Sequence, residues 1–181
     1  MVLVVAIIVY FFVWPWVMIA IGLIVSPNPP KPEITYGEFP FRLVYEINGQ
    51  QKMIEDTLIC EYDGIGLDEG RGKYRKWKQR LASENESIIL LKVDDTKEIE
   101  FFPGSAAFYM GDSNFEYYMD DSVNEGNGSS FPNALLVTKD GRFTSVRVIE
   151  ADQLLKEYNI QLISWDASPP IKNHFSKSSK K

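Results

Sequence analysis

The first charged residue of this chain is Lys31, and residues 1–25 form the apolar run MVLVVAIIVYFFVWPWVMIAIGLIV, interrupted only by Tyr10, Pro15 and Gly22. Such a run must be covered by protein or lipid, because apolar surface left in water is costly. As a helix rising ~1.5 Å per residue it reaches about 36 Å, against a hydrocarbon core of ~30 Å. The expectation is a transmembrane anchor over residues 1–25, with membrane lipid as its partner. A cleaved signal peptide would show an apolar region of ~7–15 residues behind a basic start, ending at a small-x-small site. Here the run is longer and no basic residue precedes it. Pro15, between Trp14 and Trp16, removes a helix hydrogen bond and predicts a kink in mid-span. A kink of this kind is tolerated in membrane helices, and it would also make a notch for a membrane-protein partner.

Lys31 and Arg42 are the basic residues nearest the run. Their excess would tip the following domain toward the cytoplasm, although long domains translocate with little regard to so few charges. The Pro-rich segment after the run and the near-absence of Cys suit a surface domain, so the expected location is a single-pass cell-membrane protein with an extracytoplasmic domain.

The 156 residues after Val25 suit one domain of ordinary size. A net charge of −6 argues against a general nucleic-acid binder, which would show a basic excess. Cys60 is the only cysteine, which rules out an intrachain disulfide and a Cys-based zinc site. It lies in an apparent strand, where a lone Cys is a small core residue. Asn85-Glu86-Ser87 and Asn127-Gly128-Ser129 match the glycosylation sequon, which has meaning only in a secreted eukaryotic chain.

Residues 26–37 read as a stalk, with four prolines in the seven residues 26–32 favouring extended polyproline II. A globular domain is expected over 38–168. Phe39, Phe41, Leu43, Tyr45 and Ile47 alternate with period two, and Asn48-Gly49 is a strong hairpin turn leading into a return strand at 53–62. Residues 86–93 and 97–102 make a second hairpin around Asp94-Asp95. Ser105 reads as the N-cap of a short helical turn through Met110. Further strands are expected at 133–138, 143–149 and 160–165, with an amphipathic helix at 151–158 capped by a left-handed Asn159. Residues 169–181 read as a disordered basic tail. The fold class is therefore α+β: a mostly antiparallel sheet built from hairpins, with one or two short helices, after the N-terminal transmembrane helix.

The densest charge feature is the run 71–80, in which six of ten residues are basic on an otherwise acidic chain. As a strand it places Arg75, Trp77 and Gln79 on one face and Lys76, Lys78 and Arg80 on the other. Arg75, Lys76, Trp77, Lys78 and Arg80 are the candidate polyanion-binding residues, for lipid headgroups, an anionic wall polymer or single-stranded nucleic acid. A solvated strand edge whose charges discourage edge-to-edge pairing explains the same run more plainly.

Gly64-Ile65-Gly66-Leu67-Asp68-Glu69-Gly70 only superficially resembles a phosphate loop. Its third Gly is one residue late for G-x-G-x-x-G, and the two acids would repel phosphate, so a flexible turn is expected. Asp112, Glu116, Asp120, Asp121 and Glu125 could offer oxygen ligands to Ca²⁺. Val123 and Pro132 stand where an EF-hand aligned on Gly126 needs acids, so a solvated loop is expected and no metal or cofactor is assigned. Phe101, Phe102, Phe108, Tyr109, Phe115, Tyr117 and Tyr118 are core aromatics by default, with Tyr117 and Tyr118 the best candidates for exposure. His174 is the only His and falls in the tail, and neither G-x-S-x-G nor H-E-x-x-H occurs, so no catalytic residue is assigned.

The segments ITYGEFPFRLVYEINGQ, LLKVDD and FPGSAAFYMGD are similar to a group of uncharacterised single-pass membrane proteins of Firmicutes. The resemblance covers most of the domain after the stalk. It implies a Gram-positive cell-surface setting and lends no activity, cofactor or site residue. The leading expectation is a membrane-anchored binding or envelope-assembly domain without catalytic activity. The alternatives are a surface hydrolase using two carboxylates on a wall polymer, and a cytoplasmic accessory subunit of a membrane complex.

Overall fold

A computed structural model describes residues 9–68, 72–112 and 133–176. The chain is α+β, mostly antiparallel sheet with short helices. A π-helical turn, Val9–Val13, leads into helix α1, Trp14–Val25. The strands are β1 (Lys31–Pro32), β2 (Tyr36–Ile47), β3 (Gln50–Asp68), β4 (Gly72–Leu81), β5 (Ile88–Lys92), β6 (Lys97–Phe102), β7 (Asn133–Asp140), β8 (Phe143–Ile149), β9 (Ile160–Ala167) and β10 (Phe175–Ser176). Helix α2, Ala106–Tyr109, follows β6, and helix α3, Ala151–Tyr158, follows β8.

The chain forms two compact units that interleave along the sequence. The larger comprises Ile34–Glu61 and Trp77–His174; the smaller comprises Met1–Glu33, Tyr62–Lys76 and Phe175–Lys181. Where one sheet was expected the described residues form two four-stranded sheets, in the orders β4-β3-β2-β9 and β5-β6-β7-β8, and a two-stranded one, β1-β10.

Within the larger unit the alternation along β2 sends Phe39, Phe41, Leu43, Tyr45 and Ile47 into one core, as the period-two pattern predicts. That core takes residues from both sheets: Ile99 and Phe101 of β6, Ala134 of β7, Ile149 of β8 and Ile160 of β9. Trp165 of β9 joins the two, with its ring 4.9 Å from Phe41 and 4.8 Å from Phe101. Leu43, Ile99, Met110, Ile160 and Cys60 are fully buried. Each large apolar side chain buried in this way contributes roughly 1.5–3 kcal/mol.

Local chemistry sets the turns. Asn48 and Gly49 both have positive φ, +53° and +77°, as the tight β2–β3 hairpin requires. The Asp94 carboxylate accepts from the backbone N–H groups of Thr96 and Lys97 at 2.8 Å, closing the β5–β6 hairpin. Ser105 Oγ accepts from Phe108 N at 3.2 Å, the expected N-cap of α2. Asn159 adopts the left-handed conformation after α3.

Four stretches differ from expectation. Pro15 stands where a π turn gives way to α-helix, in the first turn of α1, and not in the middle of a regular α-helix. The stalk is not wholly polyproline: Lys31 and Pro32 pair with Ser176 and Phe175, and Tyr36 already belongs to β2. Residues 169–176 of the expected tail make specific contacts, and residues 177–181 lie outside the described residues. Ile171 N donates to Tyr109 O at 2.9 Å, and the Asn173 side chain bonds both Ile34 N and Ile34 O. The glycine segment runs as strand from Gly64 through Asp68, and its last residues, Glu69 and Gly70, lie outside the described residues. A Cβ on Gly66 would come within 2.4 Å of the Tyr74 ring, so close approach of a side chain explains that glycine.

Among the described residues no helix is long and apolar enough to cross a membrane. Residues 1–8 of the apolar run lie outside the described residues. The loop acids Glu116, Asp120, Asp121 and Glu125 lie outside them too, as do Phe115, Tyr117 and Tyr118.

Candidate functional site

Strand β4 carries the five candidate polyanion-binding residues, and the two units share them out. The alternation is the expected one, but the face with Arg75 and Trp77 is engaged in structure.

In the smaller unit Arg75 is only 6 % exposed. Its guanidinium stacks 4.2 Å from the centroid of the Phe175 ring, and Nη1 lies 3.5 Å from the Pro30 carbonyl oxygen. A buried guanidinium needs such partners, since an unpaired buried charge is expensive. Lys73 Nζ donates to Ile24 O and Ser26 O, each at 2.7 Å. Ser26 Oγ donates to Leu23 O at 2.7 Å. Together they satisfy carbonyls that the end of α1 would otherwise leave open, and the Lys73 charge complements the negative end of the helix dipole. Lys76 on the outward face pairs with Asp63 at 2.7 Å, and that carboxylate holds the Lys76 ammonium above its ordinary pKa. A groove of about 730 Å³ is lined by Ile24, Ser26, Pro30, Lys31, Tyr62 and Lys73 among others.

In the larger unit Trp77 is half-buried, and its Nε1–H donates to Asp112 Oδ2 at 2.9 Å. Asp112 is itself buried, and it is the one acid of the expected loop within the described residues. Gln79 Oε1 accepts from Ala106 N at 2.7 Å. Lys78 and Arg80 point outward and are exposed, Arg80 lying 3.6 Å from Glu61. Trp77 thus stands as a structural hydrogen-bond donor, and the exposed cations of the larger unit's part of β4 are Lys78 and Arg80.

Sequence reasoning missed a carboxylate pair in the larger unit. Glu98 and Glu100, two residues apart on β6, share one face of the second sheet and hydrogen-bond each other. The Lys139 ammonium, in a short ion pair with Glu98, holds that carboxyl below its ordinary pKa. Burial raises the pKa of Glu100, and the bond to Glu98 raises it further. Glu100 and Ser87 line a cleft of about 140 Å³ together with Leu58, Arg80, Phe101 and Leu135. The i, i+2 spacing of Glu98 and Glu100 on an apparent strand was the available signal.

Burial pushes the Cys60 thiol up to about 12, which keeps it protonated and unreactive. Burial likewise pushes the Tyr109 phenol up to about 12, and its hydroxyl donates to Pro103 O at 2.8 Å. Among the described residues no group of three His, Cys, Asp or Glu is placed to hold a metal ion. Comparison with protein-family models, with curated proteins and with solved structures gave no match.

Proposed function

We propose that the protein is a single-pass, membrane-anchored binding or envelope-assembly domain, displayed outside the cytoplasm and without catalytic activity of its own. The observation that carries this reading is the state of the apolar segment. Every side chain of α1 is exposed or half-exposed, including Trp16 at 64 %, Ile24 at 66 % and Val25 at 76 %. Such a continuous apolar surface needs a non-aqueous partner. The apolar residues 1–8 lengthen the run in sequence to a bilayer's thickness. Charge follows immediately: Lys31 is exposed, and Lys73 sits on the last carbonyls of α1. The likeness to single-pass Firmicutes proteins supports the same setting.

Among the described residues, the reactive groups that follow are engaged in ways that favour binding over catalysis. Cys60 is a core thiol, Asp112 anchors Trp77, and Glu98 bonds both Lys139 and Glu100. Protease treatment of intact cells tests the placement. Digestion of the domain without lysis is the expected result; full protection until lysis would place it in the cytoplasm as an accessory subunit.

A further inference from the structure

Strand β8 ends the order β5-β6-β7-β8, and no described strand pairs with its far side. Its residues 143–147 are all exposed, with Phe143 at 81 % and Val146 at 56 %. Of the seven residues FTSVRVI only Arg147 is charged. By contrast, edge strand β4 carries Lys76, Lys78 and Arg80 on its outward face. Charges of that kind block edge-to-edge pairing, and a β-branched, aromatic edge invites it.

We propose that β8 is an interaction surface for a second copy of this chain, joining the two antiparallel across a twofold axis at Val146. The register follows from charge. Centred on Val146, the pairing sets Phe143 opposite Ile149 of the partner subunit and Thr144 opposite Val148 of the partner subunit. It also brings Arg142, just before the strand, opposite Glu150 of the partner subunit, just after it. The twofold makes each of these contacts twice. Moving the centre to Ser145 would set Glu150 against Asp140 of the partner subunit, and moving it to Arg147 would set two arginines face to face. Like charges directly opposite destabilise a strand pair, so only the Val146 register uses the whole strand with attraction at both ends. Among the described residues neither terminal charge is in an ion pair: Glu150 precedes α3 without capping it through its side chain, and Arg142 lies exposed in the β7–β8 turn. The inference does not depend on the membrane reading.

The test uses full-length protein in detergent, with micelles in large excess over chains. Val146→Cys places two thiols opposite each other at the twofold, within the reach of a disulfide. The native thiol, Cys60, is buried and does not compete. Ile163→Cys, at a comparably exposed position on β9, is the control. The expected result is a reversible dimer by sedimentation, with rapid oxidative cross-linking of Val146→Cys and little of Ile163→Cys. Arg142→Glu should weaken the dimer by about tenfold or more, and Arg142→Glu with Glu150→Arg should restore it. A wild-type chain that stays monomeric at all concentrations would overturn the proposal. So would a dimer that ignores Arg142→Glu, or one that cross-links equally at both positions.

Discussion

The two units are held together by different physics. The larger surrounds a continuous apolar core, with Leu43, Ile99 and Ile160 sealed from solvent and Trp165 seated between Phe41 and Phe101. The smaller depends on cations aimed at carbonyls and a ring: Lys73 on Ile24 and Ser26, and Arg75 on Pro30 and Phe175. Apolar burial is cooperative and non-directional, whereas a few point contacts can open one at a time. Damage in the larger unit should therefore melt it as a whole. Damage in the smaller should appear locally, as faster amide exchange, with the melting transition of the larger unit unchanged.

The strongest way to break this contrast lies in the core. Phe101→Ala removes a ring that is 2 % exposed and touches Trp165, and should destabilise the larger unit by about 3–5 kcal/mol in denaturant unfolding. A loss below about 1 kcal/mol would mean that the two sheets do not share a core. Next is Asp112→Ala, which removes the carboxylate that accepts from the Trp77 indole N–H and should cost about 1–3 kcal/mol, with altered Trp fluorescence. In the smaller unit, Lys73→Met strips the ammonium from the end of α1. The expected cost is about 0.5–1.5 kcal/mol, read as faster exchange at the Ser26 amide. A global drop in melting temperature instead would erase the distinction between the units.

The smallest effect concerns Glu98 and Glu100. The raised pKa of Glu100 favours its neutral form in the fold, so its contribution is fully present below the ordinary glutamate value of 4.5 and is lost as pH rises through the folded value. Glu98 has the opposite sign: its contribution is present above the ordinary value and is lost as pH falls through its lowered folded value. Glu100→Gln mimics the neutral form. It should match the wild-type melting temperature near pH 4 and exceed it slightly near pH 7. A lower melting temperature at both pH values would show that the charged form is the favoured one.

Much of the local structure was legible because it depends on neighbours in sequence. Asn48-Gly49, Ser105 and Asn159 each dictate a turn or a cap through their own backbone and side chain. The alternation along β2 and β4 was legible for the same reason. What could not be read was which face of β4 turns inward, because Asp112, Pro30 and Phe175 decide that from distant parts of the chain. The division into two sheets was hidden likewise: it rests on the sequence-distant pairing of β6 with β7. Residues 169–176 looked like a tail by composition, yet Ile171, Asn173 and Phe175 bond to Tyr109, Ile34 and Pro32. The pairing of Glu98 with Glu100 was visible as a spacing, but its acid–base asymmetry comes from Lys139 on the next strand.

The central claim is that the apolar run of residues 1–25, exposed along α1, resides in lipid, and alkaline carbonate extraction of isolated membranes tests it most directly. The account predicts that the full-length chain stays in the membrane pellet and that a variant lacking residues 1–25 is released. Recovery of the full-length chain in the supernatant would contradict it.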